Sequence, residues 1–438
     1  MADYKKYFSS LFYISIPIII GNIAHMLLGA TDVFVAAKHS VDTLAAISIA
    51  NAITMSVFIV GIGLLSGVTP VISNYRGEER SSRKYLLSTI NFSLILSSFM
   101  CIITILGLPL IDLFGFEPHL LPMIKEYIFV LAFSNFGGYL HFALKEFLQA
   151  REVLAFPNGL SVVAIFLNLM LNWVFVFGFG PIPSLGVVGL AIATLLVRTI
   201  MGSVLLIYCS KLLDFDVKFD CKYIKQLLKV GYPIALALLL EFLAFNSITV
   251  LMGQKAGFYA AAQSLIMVIT SMTFMVPLAI SNAIAIKVGF ANGARNYLDL
   301  KRYSISGTTL TTSFMSLCGV VLFFFPKEIL RLMSDDTRLL NIAIPVLMVA
   351  AIFQIFDGLQ VAFSGILKGL KMTKFVSMAI LCGYWLLGLP LGWVLSYKFD
   401  MNLVGFWVGL AFSIFVMSLF MGIVVVHKFQ KIRRAFRN

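Results

Sequence analysis

Long apolar stretches recur twelve times along the chain, separated by short polar connections. Each is at least as long as the roughly 20 apolar residues that cross the hydrocarbon core of a bilayer. The pattern predicts membrane-crossing helices at 11–37, 44–73, 86–112, 122–149, 157–180, 186–210, 228–252, 258–287, 303–326, 340–367, 374–397 and 403–427. The first run, Leu11 to Ala36, is too long for the apolar region of a cleavable signal and lacks a small-residue cleavage site. Prolines inside spans, among them Pro17, Pro233, Pro277, Pro345 and Pro390, remove backbone hydrogen bonds and mark either hinges or static kinks.

Composition agrees with this pattern. Of 438 residues, 60% are hydrophobic and 12% charged, against roughly 25% charged in a soluble domain. There is too little polar side chain to cover a soluble surface, and no room for a large soluble domain. The net charge of +13 would suit nucleic acid, but its placement argues against that partner. Lys5 and Lys6, the group Arg76 to Lys84, Lys145 with Arg151, the lysines from Lys211 to Lys229, the groups Lys287 to Arg302 and Lys368 to Lys374, and the tail Lys428 to Arg437 fall on one side. They hold 25 of the 33 basic residues, while Lys38, Lys125, Lys255, Lys327, Arg331, Arg338 and Lys398 fall on the other. By the positive-inside rule both termini are cytoplasmic, which an even number of spans allows. The expected location is the plasma membrane, the inner membrane of a bacterium. The five scattered cysteines form no CxxC and read as small apolar fillers.

The two halves resemble each other. At an offset of 216, Pro17 falls on Pro233, Ala45-Ala46 on Ala261-Ala262 and Gly77 on Gly293. Near an offset of 220, Trp173-Val174 falls on Trp393-Val394. Six spans per half is even, so the halves share one orientation and relate by an axis along the membrane normal. The expected fold is therefore an all-α integral membrane protein, with two pseudo-symmetric six-helix lobes, 1–215 and 216–438, around a central cavity. Alternating access to that cavity favours a carrier over a receptor or channel.

Three carboxylates lie within spans: Asp32, Glu241 and Asp357. An ionisable group at the bilayer centre costs about 2.5–3.5 kcal/mol on insertion scales, so each needs a reason. Structural hydrogen bonds or ion pairs are the plain alternative. Intramembrane base is scarce, however: Arg198 is the one arginine, with His25 and His141. The balance points to a cation or substrate site. Gln354, Asp357 and Gln360 form one polar stripe at i, i+3, i+6, Asn168 and Asn172 are i, i+4, and Asn246 lies little more than a turn from Glu241. The asparagines serve equally well as packing glue between helices. Carboxylate and amide oxygens are ligands for alkali cations, and a carboxyl group withdrawn from water can also take a proton. The residue types do not choose between sodium and proton. The many Phe, Met and Tyr residues would suit flat lipophilic cations, a weak signal by itself.

At these residues the chain resembles the multidrug and toxin extrusion (MATE) family, in its NorM-type branch. FQIFDGLQVAFSGILKGLKMT resembles that family's FQxxDxxQxxxxGxLRGxxDT, and YWLLGLPLG, from Tyr384, its YWxxGLP segment. LGVVGLAIAT, GLLSGVTPVISNYRG and KVGFANGARN are similar to other family segments. The resemblance covers nearly the whole chain. It implies a secondary antiporter exporting small, mostly cationic lipophilic compounds (drugs, dyes, toxins) for inward sodium or protons. It implies neither an enzyme nor a cofactor. Glu241 and Asp357 then correspond to the coupling-cation site, with sodium as the metal, and Asp32, Asn168 and Asn172 to a protonation and substrate site. Gln354, Gln360, Asn246 and Tyr384 are weaker candidates for the substrate cavity. Some members carry an acid where this chain has Asn172, which leaves Asp32 as that lobe's one acid. Val33, Ala37, Lys287, Lys368 and Lys371 also depart from the family pattern.

The expected partners are small organic cations and the bilayer, with the chain monomeric. A lipid-linked oligosaccharide flippase of the same superfamily is the alternative, but a pyrophosphate calls for a cationic cavity. A membrane-embedded enzyme would need a His/Asp or Ser/His cluster at one membrane face, and none is visible.

Overall fold

The computed structural model describes residues 2–211 and 219–436. Among them, twelve helices are long and apolar enough to cross a membrane: α1 (Tyr4–His39), α2 (Val41–Gly77), α3 (Ser82–Leu106), α4 (Leu120–Ala150), α5 (Ala155–Phe177), α6 (Gly186–Ser210), α7 (Cys221–Lys255), α8 (Gly257–Gly293), α9 (Tyr297–Phe324), α10 (Thr337–Gly369), α11 (Thr373–Tyr397) and α12 (Asn402–Ala435). Each predicted span coincides with one of them.

The differences lie at the ends. α7 starts at Cys221, ahead of the expected 228, and α12 runs to Ala435, past 427. Lys, Arg and Gln form helix well, so basic ends continue where an apolar count stops. α3 ends at Leu106 rather than 112. Gly107 and Pro109 follow, Pro109 has no N–H to give, and the chain tightens into a 3₁₀ turn at Leu108–Phe114. α5 ends at Phe177 rather than 180. There Gly178 takes a φ of 83°, which a side chain would oppose, and turns the chain into a bridge between Phe179 and Ile182. α11 is not uniform: Leu381–Gly388 is wound as a π-helix, a form that recurs at functional positions.

The chain divides into two compact units. The first comprises Ile20–Ile72 and Arg80–Ala235, and the second Met1–Ile19, Ser73–Glu79 and Leu236–Asn438. The expected lobe boundary between 215 and 216 lies outside the described residues, as do Lys218 and Arg437. Membership changes inside α1 after Ile19 and inside α7 after Ala235. Pro17 and Pro233 each stand two residues before the change.

In the second unit the start of α1 is tied to the start of α9. The Tyr7 hydroxyl donates to Asp299 Oδ1 at 2.6 Å, and its ring meets Tyr303 edge-on at 4.8 Å. In the first unit the start of α7 is tied to α3, where the Tyr223 and Thr89 hydroxyls lie 2.8 Å apart. The first unit's core gathers Val35, Ala46, Ile47, Tyr127, Val176 and Leu190 from five helices. Lipid tails are as apolar as these side chains, so helix association in a membrane draws on close packing instead. The fully buried small residues Ala36, Ala46, Ala50 and Ala191 allow that approach.

Candidate functional site

In the first unit, α1 carries Asp32 to a position 7% exposed. Two other helices converge on it. Asn172 Nδ2 on α5 donates to Asp32 Oδ1 at 2.7 Å, and Thr194 Oγ1 on α6 donates to Oδ2 at 3.2 Å. Asn172 Nδ2 also reaches Asn168 Oδ1 at 3.1 Å, one turn back on the same face. Asn168 Oδ1 accepts a further hydrogen bond from the Thr31 hydroxyl. Asp32, Asn168 and Asn172 are thus brought together. Thr31 and Thr194 complete the cage, and residue type alone did not separate them from the other intramembrane hydroxyls. Among the described residues, the buried Asn172 Oδ1 has no donor. A carbonyl oxygen in that state invites a cation or an N–H.

Arg198, the intramembrane arginine, lies on α6 with Thr194. Its guanidinium donates to Ser134 Oγ at 2.9 Å and stacks over Phe58 at 4.4 Å from the ring centre. It stands one turn after Thr194, whose hydroxyl donates to Asp32. Lys145, counted above with the connections, is buried inside α4, as is Glu146. The Thr69 hydroxyl donates to Glu146 Oε2 at 2.6 Å.

In the second unit, the neighbourhoods of Glu241 on α7, Asp357 on α10 and Tyr384 on the π-helical turn of α11 are joined by ring contacts: Phe245, one turn after Glu241, meets Tyr384 and also Phe353, one turn before Asp357. Asp357 is 4% exposed and Tyr384 1%, while Glu241 is half-buried. Among the described residues, Asp32, Glu241 and Asp357 form no ion pair. Gln354, one turn before Asp357, donates through Nε2 to Thr273 Oγ1 at 2.8 Å, and its buried Oε1 has no donor. Gln360 is buried three residues beyond Asp357. Asn246 stands apart: it is exposed, and its amide turns back to Phe242 O at 2.7 Å.

Aromatic packing holds this group in place. Phe245, one turn after Glu241, contacts Phe353, Tyr384 and Trp407 at 5.7–6.4 Å between ring centres. Trp407 Nε1 donates to the fully buried Gln263 at 2.8 Å. Trp385 Nε1 donates to Leu240 O at 3.1 Å, pinning α11 beside the glutamate. These anchors come from five separate helices, and no local spacing pointed to them. Among the described residues no three His, Cys, Asp or Glu side chains gather as metal ligands. The oxygens present are carboxylate, amide and hydroxyl, the hard donors that suit alkali cations rather than soft metals.

Comparison with known proteins bears on the whole chain. The MatE family model matches residues 17–174 and again 233–394. The second match begins 216 residues after the first and ends 220 after it, the two offsets at which the halves align. A Mesorhizobium japonicum protein named "Probable multidrug resistance protein NorM" is 30% identical over 419 residues, covering 92% of this chain and 90% of that one. Among solved structures, a Vibrio cholerae MATE transporter superposes with a TM-score of 0.90 at 19% identity, covering 99% of each chain. A Pyrococcus furiosus transporter of the MOP superfamily, described as having a binding pocket of reverse polarity that suggests a different function, superposes with a TM-score of 0.89 at 19% identity, covering 98% of this chain and 97% of that one. At such identity the structural likenesses establish the fold, and that fold hosts more than one pocket chemistry. Family model and relative together establish that this chain belongs to the multidrug and toxin extrusion family, as a twelve-helix membrane transporter of the NorM type and not an enzyme.

Proposed function

We propose that this transporter is a secondary antiporter that exports small lipophilic organic cations in exchange for inward sodium or protons. The observation that carries the reading is the Glu241–Asp357 pair. A buried Asp357 and a half-buried Glu241, their neighbourhoods joined through Phe353 and Phe245 and neither with an ion-pair partner among the described residues, favour a bound cation. Gln354, with an unpaired amide oxygen, and Tyr384 are neighbouring oxygens for the same ion. Asp32, held by Asn172 and Thr194 beside Asn168, is the corresponding group of the first unit. It would hold a proton or the charged end of a substrate.

Exchange has an energetic logic. Moving one positive charge outward against about 100 mV costs about 2.3 kcal/mol. One monovalent cation moving inward cancels that cost, leaving about 1.4 kcal/mol per tenfold ion gradient as the drive. Entry of the coupling cation at the acids competes with the cationic substrate, which is released outward. Both termini on the cytoplasmic side, inferred from the basic connections, give the exporter its direction. No observation favours the flippase reading over this one.

The test is efflux of a fluorescent organic cation from proteoliposomes under an imposed sodium gradient and, separately, an imposed proton gradient. One gradient should drive efflux well above the ungradiented control. If neither does, or if a neutral or anionic dye is exported equally well, the antiport reading is wrong.

A further inference from the structure

At the face where α8 and α12 end and α9 begins, the second unit holds a cavity of about 620 Å³ lined by Arg295, Asn296, Tyr297, Lys301, Arg433 and Phe436, among others. Among the described residues no carboxylate lines it. Asp299, near in sequence, has one oxygen taken by Tyr7 and the other by Asn296. Among the described residues, the side chains of Arg295, Lys301 and Arg433 make no hydrogen bond or ion pair. Helix dipoles account for part of this. Arg295 follows the C-terminal end of α8, and Arg433 lies in the last turn of α12, where a cation is favoured. They do not account for Lys301, one turn into α9, where the helix end is positive and disfavours a cation. Three cations and a helix N-terminus thus meet in one concavity with an aromatic wall.

We propose that this cavity binds the phosphate headgroup of an anionic phospholipid. The phosphate would sit among Arg295, Lys301 and Arg433, and the glycerol and first methylenes against Tyr297 and Phe436. Basic pockets at helix ends on the positive face of a membrane protein suit this chemistry, at about fivefold in affinity per charge near the surface. The proposal is independent of the transport reading, because it concerns none of the intramembrane acids.

Native mass spectrometry of the full chain in detergent micelles tests it, with phosphatidylglycerol, phosphatidylcholine or inorganic phosphate added separately. The wild type should retain phosphatidylglycerol over phosphatidylcholine. The triple variant Arg295→Gln, Lys301→Gln, Arg433→Gln should bind it on the order of a hundredfold more weakly. The charge-preserving triple Arg295→Lys, Lys301→Arg, Arg433→Lys should retain it, which separates charge from folding. Neutralising the exposed Lys222, Lys225 and Lys229 together should change little. The proposal is overturned if the glutamine triple binds like the wild type, or if the charge-preserving triple loses as much. It is equally overturned if the lysine control loses as much, which would mean diffuse surface charge, or if inorganic phosphate binds and the lipid does not.

Discussion

Tyr7 and Tyr223 stand 216 residues apart and make matching contacts in different units. Tyr7 hydrogen-bonds Asp299 at the start of α9, and Tyr223 hydrogen-bonds Thr89 near the start of α3, six helices earlier. In each case the first turns of a helix that opens one half of the chain are fastened to the unit built mainly from the other half. Tyr7→Phe and Tyr223→Phe should each lower thermal stability in detergent by about 1–2 kcal/mol, with Tyr7→Phe costing more because its acceptor is charged. Unchanged melting in both variants would mean that the matching contacts are incidental.

The acids are separable from the fold by isosteric change. Glu241→Gln, Asp357→Asn and Asp32→Asn should each reduce dye efflux at least about tenfold while the protein still reaches the membrane. Asn172→Leu should behave like Asp32→Asn, since it removes the 2.7 Å hydrogen bond to the carboxylate. It should also destabilise by about 1–3 kcal/mol, the cost of leaving a buried charged group one donor short. Normal transport by both Glu241→Gln and Asp357→Asn would sink the assignment of the cation site.

Trp407 and Gln263 form a closed test of buried polarity. Gln263 is fully buried, its Oε1 accepts from Trp407, and its Nε2 already lacks a partner. Trp407→Phe should therefore cost about 3 kcal/mol or more, combining a lost hydrogen bond with lost packing against Phe245 and Phe353. Adding Gln263→Leu should recover part of the loss, because an apolar side chain leaves no stranded amide. A double variant less stable than Trp407→Phe would contradict this.

Gly77 and Gly293 let α2 and α8 touch backbone to backbone within the second unit. A methyl group at Gly77 would lie 2.1 Å from Phe290 O, and one at Gly293 would lie 2.0 Å from Asn74 O. Neither obstacle is a movable side chain, so Gly77→Ala and Gly293→Ala should each cost about 1–3 kcal/mol by forcing the helices apart. Gly159 on α5 has nothing within 4 Å of the added methyl. Gly159→Ala should be neutral or stabilising by up to about 1 kcal/mol, since alanine restricts the unfolded chain. Equal melting temperatures for Gly77→Ala and Gly159→Ala would show that the close approach carries no weight.

The twelve helices were legible because a bilayer imposes one simple demand, about 20 apolar residues per crossing, which a linear count can see. The helix ends were less so. The 3₁₀ turn after Leu106 and the reversal at Gly178 depend on single residues whose backbone preferences outweigh hydropathy. The acids were legible for the opposite reason: a charge inside an apolar run is costly enough to stand out. Their partners were not. Thr31 and Thr194 look like ordinary helix residues until α1, α5 and α6 bring them to the group around Asp32.

By itself, then, the sequence determined the helix count, the internal repeat and the identity of the intramembrane acids, because each is a property of residue order against a uniform solvent. Only the tertiary structure decided which acids act on each other and what holds them. Tyr384 meets Phe245, one turn after Glu241, although it is 143 residues from that glutamate, and Asn246, the polar side chain near Glu241 in sequence, turns back on its own helix. Chain order does not by itself give membership of a compact unit: the first turns of α1 fall in the second unit, and α7 up to Ala235 falls in the first. The reason is physical. Hydropathy is summed along the chain, whereas electrostatic coupling and hydrogen bonds fall off within a few ångströms in space, and helix packing alone determines which residues share that space.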